Sequence, residues 1–142
     1  MAGSARKEDA RLVCGKGRFV DDEPTGADLH LRLVRSPYAH ARILGIDVTQ
    51  AKALAGVVCV LTGQDIAASS QKFPQMAPAP ANQIVDLCMA VDKVRFQGEP
   101  VVAIAATSAA IAADAAELVR VDYEPLPAVM DAVESLKGNT LL

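Results

Sequence analysis

Aromatic side chains are scarce in this 142-residue chain: tryptophan is absent, and the only rings are Phe19, Tyr38, Phe73, Phe96 and Tyr123. A core must then be assembled from Ala, Val, Leu and Ile, which the 51% hydrophobic content supplies. Positive charge is not in excess either, with 14 Lys and Arg against 17 Asp and Glu. A nucleic-acid binder needs a basic field to neutralise phosphates and usually rings on which bases stack, so no nucleic-acid partner is expected. The charge asymmetry along the chain is mild. Residues 1–42 carry eight basic and six acidic side chains, the remainder six and eleven, a polarity that suits a protein interface better than a polyanion site. Long hydrophobic runs are missing too. Val101 to Ala106 is the longest aliphatic stretch, far short of the ~20 residues of a membrane helix, so no membrane segment is expected. The first twenty residues mix Arg6, Lys7, Glu8, Asp9 and Arg11 with short apolar stretches and offer no secretory h-region, which makes the cytoplasm the expected location.

Ligands and nucleophiles are equally sparse. Cys14, Cys59 and Cys88 are odd in number and match neither a disulfide framework nor a paired metal-ligand spacing. They are expected to be free, mostly buried thiols, with Cys59 a small hydrophobe inside Val57 to Leu61. His30 and His40 are the only histidines, and no close spacing adds the carboxylates that a metal site would need. A hydrolase triad would rest on composition alone. Gly15-Lys16-Gly17 hints at a phosphate loop, but a dinucleotide fingerprint needs glycine where Val20 stands. Asp21, Asp22 and Glu23 find no further oxygens nearby for a hard cation.

What the sequence does hold is periodicity. Residues 1–13 read as a loose charged arm. Leu29, Leu31 and Leu33 alternate with His30, Arg32 and Val34, which predicts a strand with one wet face carrying His30. Ser36-Pro37 ends it. Ile43, Leu44, Ile46 and Val48 predict a second strand broken at Gly45, a short helix follows over Gln50 to Ala55, Gly56 stops it, and Val57 to Leu61 returns as a buried strand. Residues 67–83, with Pro74, Pro78 and Pro80, read as a long loop. Short strands over Ile84 to Val91 and Lys93 to Phe96 lead to a tight turn at Gln97-Gly98-Glu99-Pro100. Val101 to Ala106 is then a buried strand, Ala109 to Leu118 a helix packing through Ile111, Ala115 and Leu118 with Asp114 and Glu117 outside, and Val119, Val121 and Tyr123 mark a last strand. A short helix is expected around Asp131 to Leu136. Two strand-helix-strand units on a mixed sheet make an α+β domain. His40 reads as a turn residue bonded to backbone or facing a partner, and Gln97 and Glu99 flank a turn, either solvated or turned to a cofactor or neighbouring subunit.

The order of the motifs is more specific than any one of them. Arg6-Lys7-Glu8-Asp9, Gly15-Lys16-Gly17-Arg18-Phe19-Val20-Asp21-Asp22, Val34-Arg35-Ser36-Pro37-Tyr38-Ala39-His40-Ala41-Arg42-Ile43 and Gly56 to Ile66 stand in the first part. Phe96-Gln97-Gly98-Glu99-Pro100-Val101-Val102-Ala103, Ala113-Asp114-Ala115-Ala116 and Val119 to Pro127 stand in the second. In this register the chain resembles the α/β hammerhead domain that begins the molybdenum-binding subunit of the xanthine dehydrogenase and aldehyde oxidase family. The resemblance implies one hammerhead domain over residues 1–142 and an oxidoreductase role as part of a molybdenum hydroxylase. The family's molybdopterin contacts and catalytic glutamate lie in later domains, so no catalytic, cofactor-binding or metal residue carries over to this chain. By the same resemblance molybdenum and molybdopterin belong to a catalytic partner or to missing domains, with an iron–sulfur subunit and optionally FAD in the complex. The chain is then a separately encoded subunit or a piece of a larger one. A stand-alone interaction or assembly module without a redox task is the other open reading. The partner surface is expected at Arg35, Tyr38, His40, Arg42, Gln97 and Glu99, together with the loop 67–83 and the C-terminal tail. Because its ligand-type residues do not cluster, the isolated chain should bind no molybdenum, iron or zinc stoichiometrically; one equivalent of any of them in elemental analysis of the purified protein would overturn this.

Overall fold

The computed structural model describes residues 6–23, 26, 28–73 and 87–138. Its strands are β1 (His30–Arg35), β2 (Ala41–Asp47), β3 (Val57–Thr62), β4 (Lys93–Val94), β5 (Pro100–Ala106) and β6 (Arg120–Pro125). Its helices are α1 (Asp9–Val13), α2 (Thr49–Ala53), α3 (Gly63–Ser69), α4 (Ala109–Glu117) and α5 (Ala132–Ser135). The strands form two antiparallel sheets, in orders β1-β5-β3 and β4-β2-β6. The α+β class and both strand-helix-strand units are present. The expected mixed sheet is not: β2-α2-β3 and β5-α4-β6 each start in one sheet and end in the other, so the units tie the two sheets together.

The most apolar segment of the sequence becomes the middle strand of the first sheet. Side chains directly opposite each other in an antiparallel pair share a face. One face therefore carries the rows Arg32–Ile104–Val60 and Val34–Val102–Thr62, and it is covered by α4, which packs on β1, β5 and β3, with α2 beside it. Val102, Ile104 and Ala106 are fully buried there. The opposite face carries Leu31–Ala105–Cys59 and Leu33–Ala103–Leu61. Here the structure corrects the sequence reading of β1. Its leucines point to the face that no described helix covers, leaving Leu31 67% exposed, whereas Arg32 and Val34 point to the helical side; His30 is at the surface as expected.

Helix α4 begins where the Ser108 hydroxyl accepts the Ile111 N–H at 3.2 Å, an N-cap that satisfies one of the orphan donors of the first turn. Its buried residues are Ala112 and Ala115. The short side chains let the helix lie close to the sheet, so Ile111 and Leu118 become half-buried flanks rather than the centre of the contact, while Asp114 and Glu117 face solvent as expected. Gly56, φ +92°, ends the turn after α2, and a Cβ there would stand 2.7 Å from Ile111 Cδ1. Only glycine meets both conditions.

Other departures have local causes. The arm 1–13 contains α1, all of whose side chains are exposed. Helix α3 runs to Ser69, into the stretch read as a loop, because Thr62 and Asp65 form a reciprocal capping box. The Thr62 backbone N–H, 2.7 Å from the Asp65 carboxylate, and then the Thr62 hydroxyl hold that carboxyl below its ordinary value of 3.8. Residues 74–83 lie outside the described residues, as do residues 84–86 of the strand expected over Ile84 to Val91; Leu87 to Val91 form no strand. Strand β4 stops at Val94 because the Arg95 N–H goes to the Glu99 carboxylate instead of a ladder. All three cysteines are exposed, not buried. Cys59 lies on the uncovered face of an edge strand, and Cys14 and Cys88 lie in turns and bends.

With alanines rather than Leu118 at the α4 contact, Ala115→Leu should overpack it and cost about 1–3 kcal/mol. Asp114→Ala should stay within about 0.5 kcal/mol. Chemical denaturation of the two variants checks this, and equal effects would show that the buried face is wrongly placed.

Candidate partner interface

Three chain segments meet where β1 turns into β2. Ser36, buried, closes the turn on itself: its hydroxyl donates to the Tyr38 carbonyl and accepts the Tyr38 N–H, both at 3.0 Å, a serine turn that mimics a backbone one. Backbone bonds lace this turn to the segment before β5. Ser36 N–H donates to the Glu99 carbonyl at 2.9 Å and Gly98 N–H to the Ser36 carbonyl at 2.8 Å, and the Arg35 guanidinium adds a bond to the Gly98 carbonyl at 2.8 Å. Gly98, φ +89°, supplies the left-handed backbone that the 96–99 turn requires. The third segment follows β6, where Leu126 N–H donates to the His40 carbonyl at 2.9 Å and the Pro127 carbonyl lies 2.7 Å from His40 Nδ1.

The predicted residues are thus assembled, but they divide into braces and surface groups. His40 and Glu99 are buried. A carbonyl only accepts, so Nδ1 of His40 carries the proton. The expected backbone bond of His40 is present, and its buried Nε2 has no partner. Glu99 spends its carboxylate on the Arg95 N–H. Tyr38 is 40% exposed, with its ring 5.3 Å from that of Tyr123 at an interplanar angle of 59°, a tilted contact of the favoured kind. Burial pushes the Tyr123 phenol above its ordinary 10.0. Gln97 is exposed beside Phe96. Arg42 stands apart on β2, paired across the sheet with Glu124 at 3.0 Å, an exposed ion pair of small energetic weight. Sequence reasoning missed Ser36, Arg95 and Pro127. Ser-Pro was legible only as a strand end, and the other two act through backbone atoms, which leave no side-chain signature.

Residues 14–127 match the profile of the aldehyde oxidase and xanthine dehydrogenase a/b hammerhead domain. The chain belongs to that family. It is 39% identical to the gamma subunit of the 6-hydroxypseudooxynicotine dehydrogenase complex of Paenarthrobacter nicotinovorans, and 42% identical to the carbon monoxide dehydrogenase large chain of Afipia carboxidovorans, each over 96% of its own length. Among solved structures it is similar to quinoline 2-oxidoreductase from Pseudomonas putida 86, with a TM-score of 0.87 at 42% identity over 96% of this chain and 18% of that one. The chain spans 18% and 16% of the length of the two curated relatives. The braced turn therefore sits in a hammerhead domain, and the family match includes every residue of it.

Among the described residues no three side chains of His, Cys, Asp and Glu come together as ligands. Glu99 instead holds the turn: Glu99→Ala would strand the Arg95 amide and should cost about 1–3 kcal/mol. Glu99→Gln, which keeps an acceptor, should lose less than half of that. Urea unfolding of both variants distinguishes a brace from a dispensable charge, since equal losses would remove the Arg95 bond from the account.

Proposed function

We propose that this hammerhead domain, residues 1–142, is the scaffold and interface part of a molybdenum hydroxylase that oxidises an aldehyde or an N-heterocycle. The reaction class inserts oxygen from water and passes two electrons to iron–sulfur centres; the molybdopterin-bound metal supplies that chemistry from a catalytic polypeptide joined to this domain. An iron–sulfur subunit, and FAD in complexes that have a flavin subunit, complete the assembly. The observation that carries the proposal is the share of relatives spanned. The same domain recurs in proteins named nicotine 6-hydroxylase and xanthine dehydrogenase/oxidase, as 16% and 9% of their length, so it is a minor portion of each. The braced turn supports the partner surface at Arg35, Tyr38 and Gln97, which are exposed on a rigid frame, with His40 and Glu99 holding the frame and Arg42 at its margin. We place the assembly in the cytoplasm: three exposed free thiols suit a reducing compartment, and among the described residues no helix is long and apolar enough to cross a membrane.

The test is purification of the tagged chain from its native host at near-native concentration, with peptide identification, metal analysis and dye reduction with aldehyde and purine substrates. A molybdenum-domain polypeptide and molybdenum should co-purify, and dye reduction should appear in the complex alone. Activity of the chain by itself, or recovery without any molybdenum-domain polypeptide, would favour the stand-alone module.

A further inference from the structure

The uncovered face of the first sheet is built as a trough. Across β1, β5 and β3 the rows read Leu31–Ala105–Cys59 and Leu33–Ala103–Leu61, with small residues along the middle strand and larger ones along the edges on both sides. The floor is half-buried alanine; Leu31 is 67% and Leu61 37% exposed. No charged side chain stands in either row. The alternation Leu29, Leu31, Leu33 is the pattern of a buried strand face, yet Leu31, Cys59 and Leu61 stay exposed on it and only its far end, at Val101, is fully buried, while the opposite face is closed by α2 and α4. Contiguous exposed apolar surface of this kind marks an interaction site.

Shape selects the occupant. Strands lie ~4.8 Å apart, so the walls on β1 and β3 are about 10 Å from each other, close to the width of an α-helix. The curated relatives are more than five times longer than this chain, so a large polypeptide is at hand to supply one. We infer that the trough over Ala103 and Ala105 is the docking surface for the apolar face of a helix from the molybdenum-domain polypeptide, making the sheet the middle layer of a helix-sheet-helix sandwich. This rests on the proposed function and adds to it the surface by which the domain is held, distinct from the braced turn.

Cys59 lies in the trough and reports on it directly, with Cys14 and Cys88 as exposed references outside it. The experiment compares N-ethylmaleimide labelling of the three thiols, read by mass spectrometry, in the isolated chain and in the purified complex. Cys59 should react readily in the isolated chain and at least about tenfold more slowly in the complex, with Cys14 little changed, because thiol reactivity follows access. Leu31→Asp, at an exposed position, should keep the melting temperature of the free chain and weaken complex formation by about tenfold or more. A molybdenum-containing complex with Cys59 labelled as fast as in the free chain, or with L31D assembling normally, overturns the docking surface and leaves the proposed function standing. Failure to form any complex overturns both. Slow Cys59 labelling in the isolated chain also overturns it, in favour of a second copy where protection rises with concentration and of a segment of this chain where it does not.

Discussion

Strand β5 is hydrogen-bonded on both sides, to β1 and to β3, and most of the structure depends on that double pairing. Its register decides that Val102, Ile104 and Ala106 face α4, and hence that Leu31, Leu33, Cys59 and Leu61 face away from it. A shift of one residue would exchange the two faces and leave the alanines of α4 with no flat apolar floor. The same strand is entered from the turn at Gly98 and left through Thr107 and Ser108, so its position also sets the bracing of the partner surface and the start of the helix. With no tryptophan and few rings, the core has little bulk with which to absorb errors. Close approach through Ala112, Ala115 and Gly56 substitutes for large side chains, and such contacts tolerate added volume poorly.

Much of this was legible in the sequence because the segments were locally self-consistent. Val101 to Ala106 reads as a buried strand from its apolarity. Gly56 and Gly98 read as stops and turns and carry positive φ, and the break at Gly45 coincides with the register shift in the pairing of β2 with β6. The six interface candidates fall in or beside one region because the motifs that carry them flank the ends of β1, β2 and β5. What was not legible depends on long-range pairing. Period-two alternation shows that β1 has two unlike faces, but only its pairing with β5 shows that the leucine face is the uncovered one. The burial expected for Cys59 failed for the same reason. In this edge strand Val60, on the helical face, is buried, while Cys59, on the other face, is exposed, and that division is a property of topology. Helix α3 was overlooked although its capping box, Thr62 to Asp65, was present in the sequence.

The burial of His40 and Glu99 changes how a functional motif is understood here. Both are polar residues in the motifs that carry the family resemblance, and their side chains serve the backbone: Glu99 receives the Arg95 amide and His40 meets the Pro127 carbonyl. Buried polar groups that are hydrogen-bonded define a unique local geometry, because every alternative leaves one of them unpaired. The groups left to meet a partner are then the exposed ones held by this frame, together with the open sheet face on the far side of β5.

The account stands or falls on β5 as the strand that holds both faces in register. Native-state hydrogen exchange of the isolated chain, followed amide by amide by NMR, tests this most directly. The amides of Val102 to Ala106 should exchange only through global unfolding, with the same free energy as denaturant melts, while those of β4 and the turn 96–99 exchange through smaller, local openings. If the β5 amides exchanged as fast as those of β4, the strand would not be the keystone of the fold, and the assignment of its two faces would fall with it.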